Sequence, residues 1–238
     1  MNQLIELIIF SLLAGSTVFL GFYFSFLFDK IVVNDLIKNK VKVLSIALGL
    51  GIMLSAISLV LIPEGIKNLN IFDSTLYFGL GTIFFYLFDK FLEKIDSRFS
   101  QLYTMLLDFI PESIALGTMF ILNHNIAIVL SILIALQNFP ESFNAFYELR
   151  NKKISLKVIF SLFITLSFFG LIFSLIGYFF LYKNEILISN IMVFSSAGML
   201  YLIFRDIVPS LRIRSSELTV LFINLGFFIG LLSFKILN

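Results

Sequence analysis

Eight long runs of apolar residues, separated by short polar segments, make up most of the chain. Most of these runs reach the roughly 20 residues that an α-helix needs to cross the hydrocarbon core of a bilayer. Apolar and polar residues do not alternate along the runs, so membrane-spanning strands are not expected. The pattern predicts eight transmembrane helices, at residues 4–28, 43–62, 74–88, 102–121, 126–147, 158–182, 186–204 and 218–234.

The third run, residues 74–88, is the shortest and is bounded by Asp73 and Asp89. A helix of that length is too short for an unperturbed bilayer. We therefore expect a short span whose ends snorkel or around which the bilayer thins.

Composition places the chain among integral membrane proteins. Of its 238 residues, 59% are hydrophobic and 13% are charged, and the mean hydropathy is +1.03; about a quarter of a soluble domain is charged. The positive residues lie in short clusters, which excludes a basic face for nucleic acid. The chain has no cysteine, so disulfides and thiolate metal sites are excluded. The polar segments are too short for a second domain, so residues 1–238 are predicted to form one transmembrane domain.

Lys and Arg are concentrated in alternate polar segments. Cytoplasmic segments of membrane proteins keep the positive charge, so both termini are predicted to face outside. Only Lys67, Lys183 and Lys235 belong to the outer set. The inner set holds the other positive residues, Lys30, Lys38, Lys40, Lys42, Lys90, Lys94, Arg98, Arg150, Lys152, Lys153, Lys157, Arg205, Arg212 and Arg214.

Four acidic residues lie in or beside the predicted spans. Asp108 and Glu112 belong to the fourth span, Glu141 belongs to the fifth, and Asp206 lies near the inner end of the seventh. An ionisable side chain inside a membrane is costly and indicates a functional site. No Lys or Arg lies inside the fourth or fifth run, so the natural counter-ion of these acids is a bound cation or a proton.

A short motif occurs in both the fourth and the fifth run. Residues 106–113 read Leu-Leu-Asp-Phe-Ile-Pro-Glu-Ser, and residues 135–142 read Ala-Leu-Gln-Asn-Phe-Pro-Glu-Ser. Each proline releases the carbonyl four residues earlier, at Leu107 and Leu136. We expect locally unwound backbone there, satisfied by water or a metal ion.

The two motifs meet if the fourth and fifth spans are antiparallel around a tight turn at residues 123–125. Glu112 then lies level with Gln137, and Asp108 lies level with Glu141. Residues four apart share a helix face, so all four side chains converge near the middle of the membrane. Several hard oxygen ligands in an enclosed position fit a divalent cation.

Two alternatives concern the same acids. One is that they are protonated and only hydrogen-bond neighbouring helices, although Asn or Ser would do so at lower cost. The other is an intramembrane hydrolase that uses Asp108 and a second acid. The chain has no Gly-x-Gly-Asp, Gly-x-Ser-x-Gly or His-Glu-x-x-His motif, so we do not expect an enzyme.

At these motifs the sequence resembles the ZIP (Zrt/Irt-like protein) family of divalent metal transporters, whose fourth and fifth spans carry His-Asn-x-Pro-Glu-Gly-type motifs. Similar Pro-Glu-Gly residues occur at 63–65, and Gly-Ile-Met-Leu at 51–54 and Gly-Met-Leu at 198–200 add to the likeness. The resemblance covers nearly the whole chain and implies a ZIP-like helical bundle.

The resemblance also implies a metal site between the fourth and fifth spans. Phe109 stands where the family usually has Asn, and the sixth run holds no carboxylate, so a second metal site is not expected. The implied ligands are Asp108 in place of the usual His, Glu112, Gln137 and Glu141, with Met53 as a weak thioether ligand and Asn138 at a second-metal position.

These observations predict a transporter that moves a divalent metal cation toward the cytoplasm and needs no other cofactor. Carboxylate and carbonyl oxygens favour Mn or Fe(II) as the transported metal, and Zn is a further candidate. The alternative is a ZIP-like protein that binds metal without transporting it, as a sensor or scaffold. The expected partners are divalent metal ions, the lipid bilayer and a second copy in a homodimer, and the expected location is a cell membrane, a prokaryotic inner membrane.

Overall fold

The computed structural model describes residues 2–95, 99–212 and 217–237; Arg98 and Arg214, two of the positive residues counted above, lie outside the described residues. Within these residues the chain forms helices and no strands, and eight helices are long and apolar enough to cross a membrane. The protein is therefore an all-helical, multi-pass membrane protein. The helices are α1 (Gln3–Ile31), α2 (Asp35–Ile66), α3 (Ile71–Ile95), α4 (Ser100–Leu122), α5 (His124–Asn151), α6 (Leu156–Leu181), α7 (Glu185–Leu211) and α8 (Glu217–Leu237).

Helix α3 is longer than its apolar run predicted, with 25 residues. The two acids that bound the run both have partners. Asn70 donates a side-chain hydrogen bond to Asp73 at 2.9 Å, and Asp89 accepts one from the Tyr201 hydroxyl at 3.0 Å and pairs with Arg205 at 3.1 Å. The helix therefore continues past both acids, and the prediction of a short span was wrong.

Pro111 and Pro140 lie inside helices that stay α-helical on both sides of the proline. The predicted unwinding near Leu107 and Leu136 was therefore wrong. A proline removes one hydrogen bond from the helix, and the helix is otherwise kept intact by packing against its neighbours. Pro140, for example, lies against Gly49 of α2.

Three helices instead contain a wider, π-helical turn, at Ile57–Leu61, Gly177–Leu181 and Ile203–Ile207. Pro63 and Pro209 each follow one of these turns by two residues. A wider turn separates the proline ring from the preceding carbonyl with which it otherwise clashes. The prolines of α2 and α7 are thus matched to π turns, unlike those of α4 and α5.

Burial divides the helices into four central and four peripheral ones. In α2, α4, α5 and α7, between 61% and 67% of the most apolar stretch is buried inside the protein, against 11% to 33% in α1, α3, α6 and α8. Both helices that carry the repeated motif are therefore central.

Contacts between helices divide them in a second way. A first group consists of α1, α4, α5 and α6, in which α1 and α4 each pack on both α5 and α6. A second group consists of α2, α3, α7 and α8, in which α2 packs on α8 and α3 packs on α7. The groups meet mainly through α2 with α5 and α4 with α7. The central helices of the two groups therefore face each other across one interface.

Because the described residues form eight helices that could span a membrane, an even number, the start of α1 and the end of α8 lie at the same end of the bundle. We call the end of the bundle that holds Asn2 and Asn123 the outer end, and the end that holds Asp29 and Arg150 the inner end. That the outer end faces outside stays a prediction from the distribution of charge.

A pair of glycines tests how closely the helices pack. A β-carbon at Gly117 of α4 would overlap the backbone carbonyl of Ser174 in α6, whereas nothing lies within 4 Å of one at Gly79 of α3. We expect Gly117→Ala to destabilise the protein by about 1–3 kcal/mol, because the helices must move apart. Gly79→Ala meets no such contact and is expected to stabilise the protein by about 0.5–1 kcal/mol, because alanine favours a helix more than glycine does. Thermal unfolding in detergent measures both, and equal losses of stability would contradict this packing.

Candidate metal site

The site is built on the hairpin of α4 and α5. A single residue, Asn123, joins them, and its side-chain oxygen accepts a hydrogen bond from the backbone N–H of Ile126 at 3.3 Å. This side chain caps the first turn of α5. Such a short connection makes the helices antiparallel neighbours and fixes which residues lie at equal depth.

Glu112 and Gln137 meet at the centre of this hairpin. The Gln137 amide donates to both carboxylate oxygens of Glu112, at 2.8 and 2.6 Å. Glu112 is 0% exposed and Gln137 is 1% exposed. The prediction that these two side chains lie level is therefore confirmed.

Asp108 and Glu141 lie one helical turn toward the inner end, about 6 Å along the axis. Asp108 is buried and lies within range of the charges of Glu141 and Glu112, which in turn are within range of each other. The hairpin thus places three carboxyl groups and one amide within two helical turns of each other, and that Asp108 lies level with Glu141 stays a prediction.

Several buried oxygens of this region have no hydrogen-bond partner among the described residues: Oδ1 of Asp108, Oε1 of Gln137 and Oε1 of Glu141. A buried polar atom without a partner is costly. An oxygen of this kind is also the ligand that a hard divalent cation prefers. Each of these oxygens could therefore accept a hydrogen bond or ligate a cation.

In the part of the chain that the structure describes, no Lys, Arg or His forms an ion pair with Asp108, Glu112 or Glu141. Nor do any three His, Asp or Glu side chains of residues 2–95, 99–212 and 217–237 lie close enough together to hold a metal ion. The site is therefore a hydrogen-bonded pair, Glu112 with Gln137, beside two further acids, and it is not a closed cage of carboxylates.

Met53 and Asn138 occupy different positions relative to this pair. Met53 is buried on α2, one turn along from Gly49, which packs against Pro140 of the second motif; residues four apart share a helix face. Asn138 is also buried, but its amide nitrogen lies 3.5 Å from the backbone carbonyl of Ala14 in α1. The amide nitrogen of Asn138 is thus directed to α1.

The aromatic residue of the first motif fills space between α4 and α6. Phe109 is buried, and its ring lies against Gly170, where a β-carbon would be 2.5 Å from the ring edge. The position at which Asn is usual in the ZIP family is therefore occupied by apolar packing.

Two polar residues on the inner part of α5 were not predicted to belong to the site. The side-chain oxygens of Asn144 and Tyr147 are buried and have no hydrogen-bond partner among the described residues. Gln137, Glu141 and Asn144 follow one another at spacings of four and three, which places them on one helix face. That spacing was the signal by which Asn144 could have been found.

Asp206 and His124, the single histidine of the chain, lie at the two ends of the bundle. Asp206 at the inner end is 3.8 Å from Arg205 and within range of the charge of Asp108. His124 at the outer end pairs with Glu6 of α1 at 2.5 Å. The histidine is therefore not a ligand of the central site.

No protein-family model and no curated protein matches this sequence. The likeness to the ZIP family thus rests on the motifs and on their place in the chain.

Proposed function

We propose that the protein is a ZIP-like transporter that carries a divalent metal cation across the membrane toward the cytoplasm. The observation that carries the proposal is the group of buried carboxyl groups on the α4–α5 hairpin. One oxygen of Asp108 and one of Glu141 lack hydrogen-bond partners, and no cationic side chain among the described residues neutralises the group. A carboxyl group at that depth needs a proton or a counter-ion, and on this proposal a divalent cation is the counter-ion. On this proposal the protein is not an enzyme.

The donor set favours one class of ion. Carboxylates of Asp108, Glu112 and Glu141 and the amide oxygen of Gln137 are hard ligands, which suit Mn and Fe(II) better than an imidazole or thiolate site does. Zn is a further candidate because it also accepts carboxylate ligands. Met53 would add a soft ligand from α2.

On this proposal the two groups of helices move relative to each other. The motif-bearing helices belong to the first group, and α2 and α7 face them from the second group. A displacement of one group against the other would open the hairpin to one end of the bundle and then to the other. Glycine at position 49, against Pro140, leaves no side chain in the way of that movement.

A non-transporting, metal-binding protein is the second candidate. Asp108 in place of the usual His and the lack of a carboxylate in residues 158–182 favour it, because both depart from the pattern of the transporters that the sequence resembles. A transporter must bind its ion in at least one state and release it in another, whereas a sensor needs only to bind. Measuring binding and uptake on the same preparation therefore separates the two functions.

The test is Mn²⁺ uptake into liposomes that contain the purified protein, alongside equilibrium binding of Mn²⁺ to the same protein in detergent. The proposal expects both saturable binding and saturable uptake. Binding without uptake would establish the sensor or scaffold, and the absence of both would overturn the metal site altogether.

Acid is expected to weaken binding. Metal ligands must be deprotonated, so protons compete with the cation for Asp108, Glu112 and Glu141. The apparent Kd for Mn²⁺ should rise by about tenfold per pH unit for each proton displaced, over the acid range in which binding releases protons. Titration of Mn²⁺ at a series of pH values measures the slope. A Kd that does not change with pH would contradict coordination by these carboxylates.

The same proposal extends to location and partners. Divalent cations and the lipid bilayer are the proposed partners, together with a second copy of the chain in a homodimer, and nucleic acid is not one. The proposed location is the cell membrane of a prokaryote, the inner membrane.

A further inference from the structure

A cavity of about 240 Å³ opens at the outer end of the bundle, between the two groups of helices. Glu64 and Lys67 at the end of α2 line it, Met119 of α4 lines the facing wall, and Glu185 and Ser189 of α7 close the third side. Met119 lies seven residues beyond Glu112 on the same face of α4, about 10 Å along the axis. The cavity therefore lies on the face of α4 that carries Glu112, and we call it the outer mouth.

One cation and two carboxylates line this mouth. The ammonium group of Lys67 forms an ion pair with Glu64, and the amide of Asn68 lies 3.4 Å from the carboxylate of Glu185. The side chain of Glu64 is 11% exposed, whereas that of Lys67 is 56% exposed. The carboxylate is thus fixed in the wall, and the ammonium reaches it from the solvent side.

An ion pair with one exposed, flexible partner is weak, because solvent screens it and the long side chain loses rotamer freedom. Lys67 can therefore leave Glu64 at little cost. A divalent cation gains twice the Coulomb energy of an ammonium at the same carboxylate. A monovalent cation has no such advantage over the lysine that is already attached.

We propose that Lys67 is a specificity-determining residue for ion access, a tethered cation that occupies Glu64 at the outer mouth until a divalent ion displaces it. This inference rests on the proposed transport function. Lys67 would thus affect the external ion concentration needed for half-maximal uptake. It would not affect the rate at which the loaded protein carries the ion across the membrane.

The change that tests this role is Lys67→Gln, which removes the charge and keeps a polar side chain of similar length. It leaves Glu64 unpaired at the mouth and raises the local negative potential that attracts cations. We expect the KM for Mn²⁺ uptake to fall by about threefold to tenfold, with the maximal rate unchanged. The difference should shrink as salt rises from about 0.05 to about 0.5 M, because salt screens an exposed charge.

Two variants separate this role from a structural one. Lys67→Arg keeps the charge and should keep the parent KM. Lys183→Gln removes a lysine at the same end of the bundle, whose ammonium lies over the Tyr182 ring at 5.8 Å, and it should also leave KM unchanged.

The measurement is Mn²⁺ uptake into liposomes by the parent protein and these three variants. A lower KM in Lys67→Gln alone supports the role of Lys67, and a KM equal to that of the parent overturns it while leaving the transport function intact. An equal fall in Lys183→Gln overturns it as well, since the effect would then be one of general surface charge. A parent protein that takes up no ion overturns the proposed function and this inference with it.

Discussion

Glu112→Ala and Glu141→Ala are each expected to abolish metal uptake, with a loss of about a hundredfold or more in the initial rate. Glu112 is fully buried and holds Gln137 with both carboxylate oxygens. Its removal takes away a charged ligand and leaves the Gln137 amide without its partner. Glu141 supplies one of the unpartnered buried oxygens beside Glu112, so its loss should weaken the binding of the same ion. Uptake of Mn²⁺ into liposomes measures the effect.

The control for this result must separate loss of the site from loss of the fold. Glu112→Gln keeps the shape of the side chain and a hydrogen-bonding oxygen, so it should fold as the parent does and still fail to transport. Glu217→Ala removes an exposed carboxylate at the start of α8 and should leave uptake unchanged. Normal uptake in either Glu112 variant would show that the ion does not pass through this site.

Asp108→His is expected to change which metal the protein prefers. Asp108 is buried, and its Oδ1 has no hydrogen-bond partner among the described residues. An imidazole nitrogen in its place suits Zn better than Mn, whereas a carboxylate suits Mn. We expect the ratio of Zn to Mn affinity to rise by about tenfold, measured as the ratio of the two KM values in the same liposomes.

A neutral oxygen ligand provides the comparison. Asp108→Asn removes the charge without supplying an imidazole nitrogen. It should therefore weaken the binding of both Zn and Mn and leave the ratio of their KM values near that of the parent. If Asp108→His and Asp108→Asn altered the ratio equally, the side chain at position 108 would not be a ligand that selects the metal.

The number of helices and the meeting of Glu112 with Gln137 could be predicted from the sequence, because both depend on local features. Hydrophobic runs of the length of a membrane mark the helices. A one-residue turn at Asn123 forces α4 and α5 to be antiparallel neighbours, so depth along one helix determines depth along the other.

Features that depend on distant partners could not be predicted. Within α3, Asp89 has its partners in Tyr201 and Arg205, which lie far along the chain. The orientation of Asn138 depends on Ala14 of α1. Neither contact leaves a pattern in the local sequence, and both arise only when the helices pack.

The effect of each proline on its helix likewise depends partly on the local sequence and partly on tertiary packing. A proline predicts a broken hydrogen bond wherever it lies, but what the backbone does next depends on its neighbours. At Pro63 and Pro209 the helix widens into a π turn, whereas at Pro111 and Pro140 it continues unchanged. The motif prolines therefore do not unwind the backbone at the candidate site.

The most direct test of the central claim is uptake of Mn²⁺, Fe²⁺, Zn²⁺ and Cd²⁺ into liposomes that hold the purified protein and an internal metal-sensitive dye. The variant with both Glu112→Ala and Glu141→Ala is measured beside the parent. We expect the parent to take up at least one of these ions and the double variant to take up none. Uptake that survives in the double variant would contradict transport through the α4–α5 site, and no uptake by the parent would contradict transport itself.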